Sequence, residues 1–454
     1  MIRMKRSKPV TGKGLRWRRV TMRFTDDKGA VGVVLRPAEV VDCDCSSGIL
    51  QSLPEWEYVR NADGDIITSN ASKPLEVGGV KADQGDGEYG YIYYLTNELG
   101  AYFYYNQEQA VFTAAVTNRG QVEGFFVNVD GVPKMAICTE KGFLLIDMNG
   151  AGQVVISQDT LPVGVLFRHR IFVGMKGGVL KYSAPEDFTN FNPSADEGGE
   201  IALPHCGGEI IALKPYEDTL LVFFKSGIAR LKIGGEPSLF RVEQLEYAGG
   251  DILPKTICVC QHAVYFLAKS GFYRLRKKTV ERLDFDVEIP AVETGYEGNS
   301  VWKDMPMIRY QKPNGEFETI VIAKDGKRAF FMQGLSCLGR GEDGKVLFLD
   351  EGKRFCQLVD NGEYWFDGHF LSETTDFGWV GKKRLERLRF CGEGSFTLTL
   401  FWDGMSATKH LEFRDGTAEW ELYRAELGER YQMSFELDRQ TKITSIQVEY
   451  KTFK

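Results

Sequence analysis

The residue types that could bind a metal or attack a substrate are not spaced for either task in this chain. The five histidines are scattered, without the HExxH spacing that places two imidazoles on one metal. There are two CxC pairs, Cys43 with Cys45 and Cys258 with Cys260, and each would bring two thiols to one face of a strand. However, no second pair of ligands lies at the spacing that zinc fingers use. We therefore expect no catalytic residue, no metal site and no cofactor.

Two glycine-rich segments and the carboxylates were also considered as chemical sites. The segments NGAGQ (149–153) and GGEIIALKPYEDT (207–219) lack GxGxxG and GxxxxGK, and neither leads into a helix that could hold a phosphate. A glycosidase needs two carboxylates around the scissile bond, and among 63 acidic residues no single position stands out. The SxDxGxxW box of sialidases is absent. The segments are interpreted as turns, and the chain is not expected to be an enzyme.

The composition favours an all-β protein. Of the 454 residues, 50 are glycine and 12% are aromatic, and apolar residues at helical spacing are scarce. Nine cysteines are an odd number, and most lie in strand-like runs, so we interpret them as reduced core residues. No apolar run reaches membrane-spanning length and no signal peptide opens the chain, which predicts a protein made in the cytoplasm without a membrane contact.

A β-hairpin pattern recurs along most of the chain: an apolar strand, a short turn with glycine, and a second apolar strand. Repeats of about 40 to 50 residues are typical of β-propeller blades. Successive turn glycines are 42, 36, 49, 44, 55 and 26 residues apart, and since the last gap is too short for a blade, we infer about six blades within a range of five to seven. Stacked β-sandwiches are the alternative. The glycines are Gly100, Gly142, Gly178, Gly227, Gly271, Gly326 and Gly352.

The pattern changes near residue 376, where strands alternate apolar and polar residues, as in RLRFCGEGSFTLTLFWDG (387–404). Strands with one buried and one solvent-exposed face predict a small antiparallel β-sandwich. The predicted domains are thus a basic N-terminal arm (1–25), a β-propeller (26–375) and a C-terminal β-sandwich (376–454). Within the propeller, the loop of YSAPEDFTNFNP (182–193) carries Phe188 and Phe191, which we expect to fill the space between neighbouring blades.

Charge is unevenly distributed. Nine of the 56 Lys and Arg lie in residues 1–25, which contain no Asp or Glu, so the rest of the chain holds 47 basic against 63 acidic residues. Cations interleaved with an aromatic suit a nucleic-acid backbone, and they suit an acidic protein surface equally well; a solvated tail is the third interpretation. The binding residues proposed for this arm are Lys5, Arg6, Lys8, Lys13, Arg16, Trp17, Arg18, Arg19 and Arg23.

Three successive segments carry a resemblance to a known family: RIFVGMKGGVLKYSAPEDFTNFNP (170–193), GGEIIALKPYEDTLLVFFKSGIARL (207–231) and GDILPKTICVCQHAVYFLAKSGFYRL (250–275). They resemble the propeller core of bacteriophage tail-hub proteins, the tail-nozzle or packaged-DNA-stabilisation proteins of short-tailed phages and prophages. The segments LGERYQMSFE (427–436) and ITSIQVEYK (443–451) look like the accompanying sandwich, and VVLRPAEVVDCDCSSGIL (33–50) looks like the lead-in.

The resemblance implies a virion structural protein of the tail, made in the host bacterial cytoplasm. About six copies, a hexamer, would form a ring below the portal and adaptor proteins, contact other tail proteins, continue the DNA channel and help to retain the genome, with transient DNA contact. An acidic wall would keep DNA from sticking during ejection. Two alternatives stay open: a phage propeller that binds a host-surface polysaccharide, and a propeller glycosidase.

Overall fold

The computed structural model describes most of the chain between residues 11 and 453. The described residues are 11–12, 15–23, 33–34, 37–41, 43–44, 50–53, 55–61, 63–69, 74, 76–83, 89–97, 100–105, 108–112, 123–129, 132–147, 152–193, 197–203, 206–285, 297–324, 326, 329–333, 335–341, 343–366, 368–377, 379–422 and 427–453.

The chain forms two compact units, and both are discontinuous in sequence. Unit 1 contains Met1–Trp56, Arg328–Gln333 and Val359–Lys454, and unit 2 contains Glu57–Lys327 and Gly334–Leu358. Regular structure in the described residues is β-strand, apart from two short 3₁₀ turns at Pro237–Leu239 and Pro254–Thr256. No helix among these residues is long and apolar enough to cross a membrane.

Unit 2 is a β-propeller built from antiparallel sheets of consecutive strands. Blade 1 contains Glu76–Asp83, Tyr89–Asn97, Gly100–Tyr105 and Glu108–Phe112; blade 2 contains Glu123–Val129, Val132–Thr139, Gly142–Asp147 and Gly152–Ile156; blade 3 contains Thr160–Phe167, Arg170–Met175, Val179–Tyr182 and Gly199–Ala202. Blade 4 contains Ile210–Tyr216, Thr219–Phe224, Gly227–Lys232 and Arg241–Leu245; blade 5 contains Cys258–Cys260, Ala263–Ala268, Gly271–Arg276 and Thr279–Leu283. Blade 6 contributes Gly298–Trp302, Met305–Gln311 and Phe317–Ile322 to unit 2, and blade 7 contains Ser336–Gly341, Val346–Leu349 and Phe355–Val359.

The described residues thus form seven blades, the upper limit of the range of five to seven inferred from the turn glycines. In blades 1 to 5 and in blade 7, the chosen glycine lies in the turn between the second and third strands or opens the third strand. In blade 6 that turn holds Gly315, with φ of +91°, whereas Gly326 follows the third strand. If Gly315 replaces Gly326 in the series of turn glycines, the last two spacings become 44 and 37 residues. The gap of 26 residues arose because Gly326, and not Gly315, was taken as the turn glycine of this hairpin. The last two hairpins therefore belong to separate blades.

Burial explains why the sequences of second strands are continuous apolar runs and those of fourth strands are not. Thr219–Phe224 and Ala263–Ala268, both second strands, are buried at every position because each face packs on other strands. Arg241–Leu245, the fourth strand of blade 4, is exposed at four of its five residues. Apolar content therefore falls toward the outer edge of a blade.

Blade 7 is completed by residues from far upstream, which closes the ring. The strand Glu55–Tyr58 neighbours Phe355–Val359, and just beyond it the N–H of Val59 donates to the Phe355 carbonyl at 2.8 Å. The first strands of blades 7 and 1 pair in parallel, with Arg340 opposite Gly78.

Unit 1 is a β-sandwich whose strands pair antiparallel, except for the parallel pair of Leu15–Arg23 with Val33–Val34. One sheet has the order Thr11–Gly12, Leu15–Arg23, Lys442–Phe453, Lys383–Glu393, Thr417–Glu421, with Val33–Val34, Cys43–Asp44, Leu50–Ser52 and Leu427–Gly428 pairing beside it. The other sheet has the order Met405–Glu412, Ser395–Trp402, Tyr431–Leu437, Gly368–Ser372, Pro37–Val41. Ala329–Met332 is also assigned to this unit. The two sheets share one apolar core that includes Phe390, Phe396, Phe435 and Tyr450.

The two units differ from the predicted domain boundaries. The predicted arm ended at residue 25 and the predicted propeller began at residue 26, but Leu15–Arg23 and Pro37–Val41 are both strands of the sandwich. Met22 is fully buried in the core of unit 1. The pairing partner of Leu15–Arg23 is Lys442–Phe453, more than 400 residues away, and no local pattern in residues 15–23 points to that partner.

Candidate functional site

The cavity at the centre of the propeller is the candidate functional site. Its volume is about 190 Å³, the space of about six water molecules at about 30 Å³ each. The lining includes residues of the first strands of six blades, or of the segments just before them. Blade 3 contributes only Pro162, and the other five blades each contribute a charged or polar residue: Glu76 of blade 1, Lys214 of blade 4, Lys255 before blade 5, Asn299 of blade 6 and Arg340 of blade 7.

Two carboxylates of the cavity each interact electrostatically with a cation. The ammonium of Lys255 lies 3.7 Å from Oε2 of Glu76, and Nδ2 of Asn299 donates to the Lys255 carbonyl at 2.9 Å. Glu297 is only 1% exposed, and its charge acts on Arg309. Burial lowers the pKa of Arg309 to about 10, while the charges of Cys337 and Glu297 act in the opposite direction.

The other two cations of the lining are Lys214, which is half-buried, and Arg340, which is exposed although it lies on the first strand of blade 7. Hydrogen bonds from Gln261 and Lys324 hold the pKa of Asp304 below its ordinary value, and the charge of Arg340 acts in the same direction. The nearby Asp304 forms an ion pair with Lys324 at 3.2 Å. The lining therefore has more positive than negative charge.

By residue type, Glu76 and Glu297 are the carboxylate pair that a glycosidase requires. However, the cavity is smaller than the 300 Å³ or so that drug-sized ligands occupy. Among the described residues, no group of three His, Cys, Asp or Glu is placed to hold a metal ion. The lining carries three cations, Lys214, Lys255 and Arg340, beside these two carboxylates.

The sequence analysis did not single out these axial residues. They come from five segments spread between residues 76 and 340, and each is an isolated charge or amide in or beside a strand. The only signal that could have found them is their shared position at the start of successive blades, which requires the blades to be counted correctly.

The two loop phenylalanines lie between blades 2 and 3. Phe188 is 3% exposed and belongs to a cluster with Phe143 of blade 2 and Ile171 of blade 3. The ring of Phe191 meets that of Phe143 edge-on, with centroids 5.8 Å apart. The aromatic residues of this loop therefore fill the space between two neighbouring blades.

The loop that carries them is held by its own hydrogen bonds. The N–H of Ala184 donates to the Asn190 carbonyl at 2.8 Å, and Oδ1 of Asp187 accepts from the hydroxyl of Thr189 at 2.8 Å. The buried guanidinium of Arg170 donates to the Ser183 carbonyl at 2.8 Å. These contacts fix the positions of both phenylalanines.

The proposed arm residues fall into two groups. Arg16, Trp17, Arg18, Arg19 and Arg23 lie on the strand Leu15–Arg23, which runs antiparallel to Lys442–Phe453 from the pair Leu15 and Phe453 to the pair Met22 and Ile446. Lys5, Arg6, Lys8 and Lys13 lie outside the described residues. Five of the nine proposed residues are therefore part of a sheet.

Seven cysteines of the described residues between 138 and 391 are free thiols, and the CVC pair (258–260) joins two blades. Sγ of Cys258 donates to the Ser300 carbonyl, and Sγ of Cys260 donates to the Asp304 carbonyl, both at 3.2 Å. Burial raises the pKa of Cys258 to about 12 and that of Cys260 to about 11. Both thiols stay protonated at neutral pH, so neither is a reactive nucleophile.

Comparison with known proteins identifies no family. No family model and no curated protein matches the chain. Among solved structures, the extracellular domain of BT4673 from B. thetaiotaomicron matches with a TM-score of 0.45 and 11% identity, over 77% of this chain and 46% of that one. The designed protein Ika8 has a TM-score of 0.42 and 11% identity, over 72% and 97% of the two chains. The Neurospora crassa Pan2 WD40 domain has 0.45 and 9%, over 69% and 98%.

Proposed function

We propose that the chain is a structural protein of a phage tail, which assembles as a ring below the portal and adaptor and helps to retain the packaged genome. The observation that carries the proposal is architectural. The resemblance in residues 170–275 and 427–451 implies a propeller accompanied by a sandwich, and the chain folds into a propeller and a sandwich at these positions. In this proposal the protein is not an enzyme.

In this proposal the DNA channel lies between copies of the chain rather than along the propeller axis. The cavity has the volume of about six water molecules, whereas the major groove of DNA alone is about 12 Å wide. In this proposal, DNA does not pass along the propeller axis. A ring of copies in heterologous contact encloses a wider channel at its centre, and the acidic excess of the chain limits sticking of DNA to the wall.

The basic N-terminal residues are assigned to docking in this proposal. Since Leu15–Arg23 is a sandwich strand, the docking segment is narrowed to the residues before it, which include Lys5, Arg6 and Lys8. Their expected partner is an acidic surface of a neighbouring virion protein, with transient DNA contact at the channel mouth.

Quantitative mass spectrometry of purified, nuclease-treated phage particles tests the proposal. A stoichiometric ring component gives roughly one to two portal copies per copy of this chain. Absence of the chain from DNA-filled particles overturns the proposal.

A deletion tests the docking segment separately. Removing residues 1–10 leaves the strand Leu15–Arg23 in place, whereas removing residues 1–25 also deletes a strand that pairs with Lys442–Phe453. The shorter deletion is expected to fold and to be lost from particles. Retention of the deleted protein in particles at normal copy number contradicts the docking role.

A further inference from the structure

Two buried oxygen atoms of the axial cavity accept no hydrogen bond from a described residue: Oε2 of Glu76 and Oε2 of Glu297. Both glutamates have other interactions, because Glu76 lies near Lys255 and the charge of Glu297 acts on Arg309. At 3.7 Å, however, the ammonium of Lys255 is too far from Oε2 of Glu76 for a hydrogen bond. A buried acceptor atom that lacks a donor costs free energy, so these two oxygens favour a ligand that donates hydrogen bonds.

The charges around these two oxygens argue against a cationic ligand. The carboxylates of Glu76 and Glu297 interact with the cations of Lys255 and Arg309, so no excess of negative charge remains to hold a metal ion. Among the described residues, moreover, no three His, Cys, Asp or Glu are grouped as metal ligands.

An anion is disfavoured for a different reason. It would place further acceptor oxygens beside two that already lack a donor. The remaining cations of the lining are also engaged elsewhere, since the charge of Arg340 acts on Asp304 and Lys214 has interactions of its own. A neutral donor therefore fits the cavity better than either kind of ion.

We infer that the axial cavity binds a small neutral polyol, a molecule or terminal group with several hydroxyls, by hydrogen bonds to Glu76 and Glu297. A hydroxyl both donates and accepts, so one hydroxyl can donate to a carboxylate oxygen and accept from a neighbouring N–H group. The ammonium of Lys255, in the same lining, carries such N–H groups. Hydrogen bonds to an ionised acceptor are the stronger kind, which favours the two carboxylates as the main contacts.

The volume of about 190 Å³ limits the polyol to a small free molecule or a single sugar unit at the end of a chain. Apolar side chains complete the lining and can contact the C–H groups of such a ligand; they include Val77, Ile211 and Leu338. A free polyol and a terminal sugar unit share this chemistry, and separate arms of the experiment distinguish them.

This inference does not depend on the proposed tail function, because the cavity lining lies within unit 2 of a single chain. Purified full-length protein is titrated with glycerol and, in a separate arm, with glucose, and binding is followed by ligand-observed NMR. Propan-1-ol is the matched reference, because it has the carbon skeleton of glycerol with a single hydroxyl. A further arm with ammonium chloride tests for a cation in place of a polyol.

Wild-type protein is expected to bind glycerol or glucose saturably, with a Kd of about 1 mM or weaker for so small a ligand. Glu297→Gln and Glu76→Gln are each expected to weaken binding by about ten- to a hundredfold, because each removes an ionised acceptor. The matched control is Glu243→Gln, since Glu243 is exposed, pairs with Lys278 at 2.6 Å and lies outside the cavity lining. It is expected to bind as the wild type does.

Glu76→Gln keeps the experiment decisive if Glu297→Gln does not fold, because Glu76 is only partly buried whereas Glu297 is fully buried. The inference is overturned if neither polyol binds saturably to the wild type, or if propan-1-ol or ammonium binds as tightly as the polyols. It is also overturned if Glu76→Gln binds the polyols as tightly as the Glu243→Gln control.

Discussion

The carboxylate of Glu55 accepts two hydrogen bonds from the guanidinium of Arg439, from Nε to Oε1 and from Nη2 to Oε2, both at 2.8 Å. Glu55 is only 2% exposed and also accepts from the side-chain amide of Gln440. Arg439 in turn donates to the Gly362 carbonyl. Within unit 1, this pair ties the end of the N-terminal segment to the turn before the strand Lys442–Phe453.

Glu55→Gln is expected to lower the free energy of unfolding by about 1–3 kcal/mol at pH 7, because charged hydrogen bonds to a buried carboxylate are lost. The hydrogen bond from Arg439 holds the pKa of Glu55 below its ordinary value. The stabilisation is therefore present above the unfolded pKa of about 4.3 and is lost as the pH falls through the folded pKa.

Urea unfolding at pH 7 and pH 3 measures this effect, with Glu393→Gln as control. Glu393 is mostly exposed and lies 3.7 Å from Lys442, so its loss changes stability by less than about 0.5 kcal/mol. A difference between wild type and Glu55→Gln that is as large at pH 3 as at pH 7 contradicts the ionic explanation.

Phe188→Ala is expected to destabilise the propeller by about 3–5 kcal/mol, since the ring is buried between blades 2 and 3 and its removal leaves a cavity. Leu239→Ala is the matched control, because Leu239 is 53% exposed and its truncation costs about 0.5 kcal/mol or less. Chemical denaturation of both variants measures the effect. Equal losses for the two variants mean that Phe188 does not fill the inter-blade space.

Gly339→Ala is expected to destabilise the junction of blades 7 and 1 by about 1–3 kcal/mol, because an added Cβ lies 1.8 Å from the Val77 carbonyl oxygen and the backbone has to move. Gly235→Ala is the control, since a Cβ there meets no atom within 4 Å. The control is expected to be neutral or slightly stabilising. Melting temperatures of the two variants test the prediction, and a Gly339→Ala protein as stable as the control refutes the close approach.

Alkaline pH is expected to destabilise the propeller through its buried thiols. Burial raises the pKa of Cys258 to about 12, so the unfolded state releases this proton first and stability falls as the pH rises from about 9 toward 12. The slope from one thiol is about 1.4 kcal/mol per pH unit. Unfolding of wild type and Cys258→Ala, measured in reductant at pH 7 and pH 10, should show a smaller pH-dependent loss in the variant. An identical loss in both proteins contradicts the assignment.

The propeller was predictable because its blades are built from local contacts. Each hairpin joins strands that are adjacent in sequence. Glycine is required at the turns either by positive φ, as at Gly178 and Gly271, or by a close approach of other backbone, as at Gly142 and Gly227, so the repeat is visible in the sequence. The number of blades was less certain, since Gly315 and Gly326 lie 11 residues apart and both follow apolar strands. Only the strand pairing shows that Gly315 is equivalent to the other turn glycines.

The extent of the sandwich and the axial cavity could not be predicted in the same way. Both depend on contacts between residues that are distant in sequence, such as Leu15 with Phe453 or Glu76 with Lys255. The basic character of residues 15–23 favoured an exposed arm, yet a strand at this position needs only one buried face, which Met22 occupies. Tertiary pairing decided the structure of this segment.

The pairing of the first long strand with the last one also determines when the sandwich can form during synthesis. Leu15–Arg23 leaves the ribosome more than 400 residues before Lys442–Phe453 is made. At about 5–20 residues per second, the first strand waits on the order of 20 to 80 s for its partner. All residues of the propeller are translated within that interval, so the nascent chain can complete the propeller first, and the sandwich closes only once the final strand has been released.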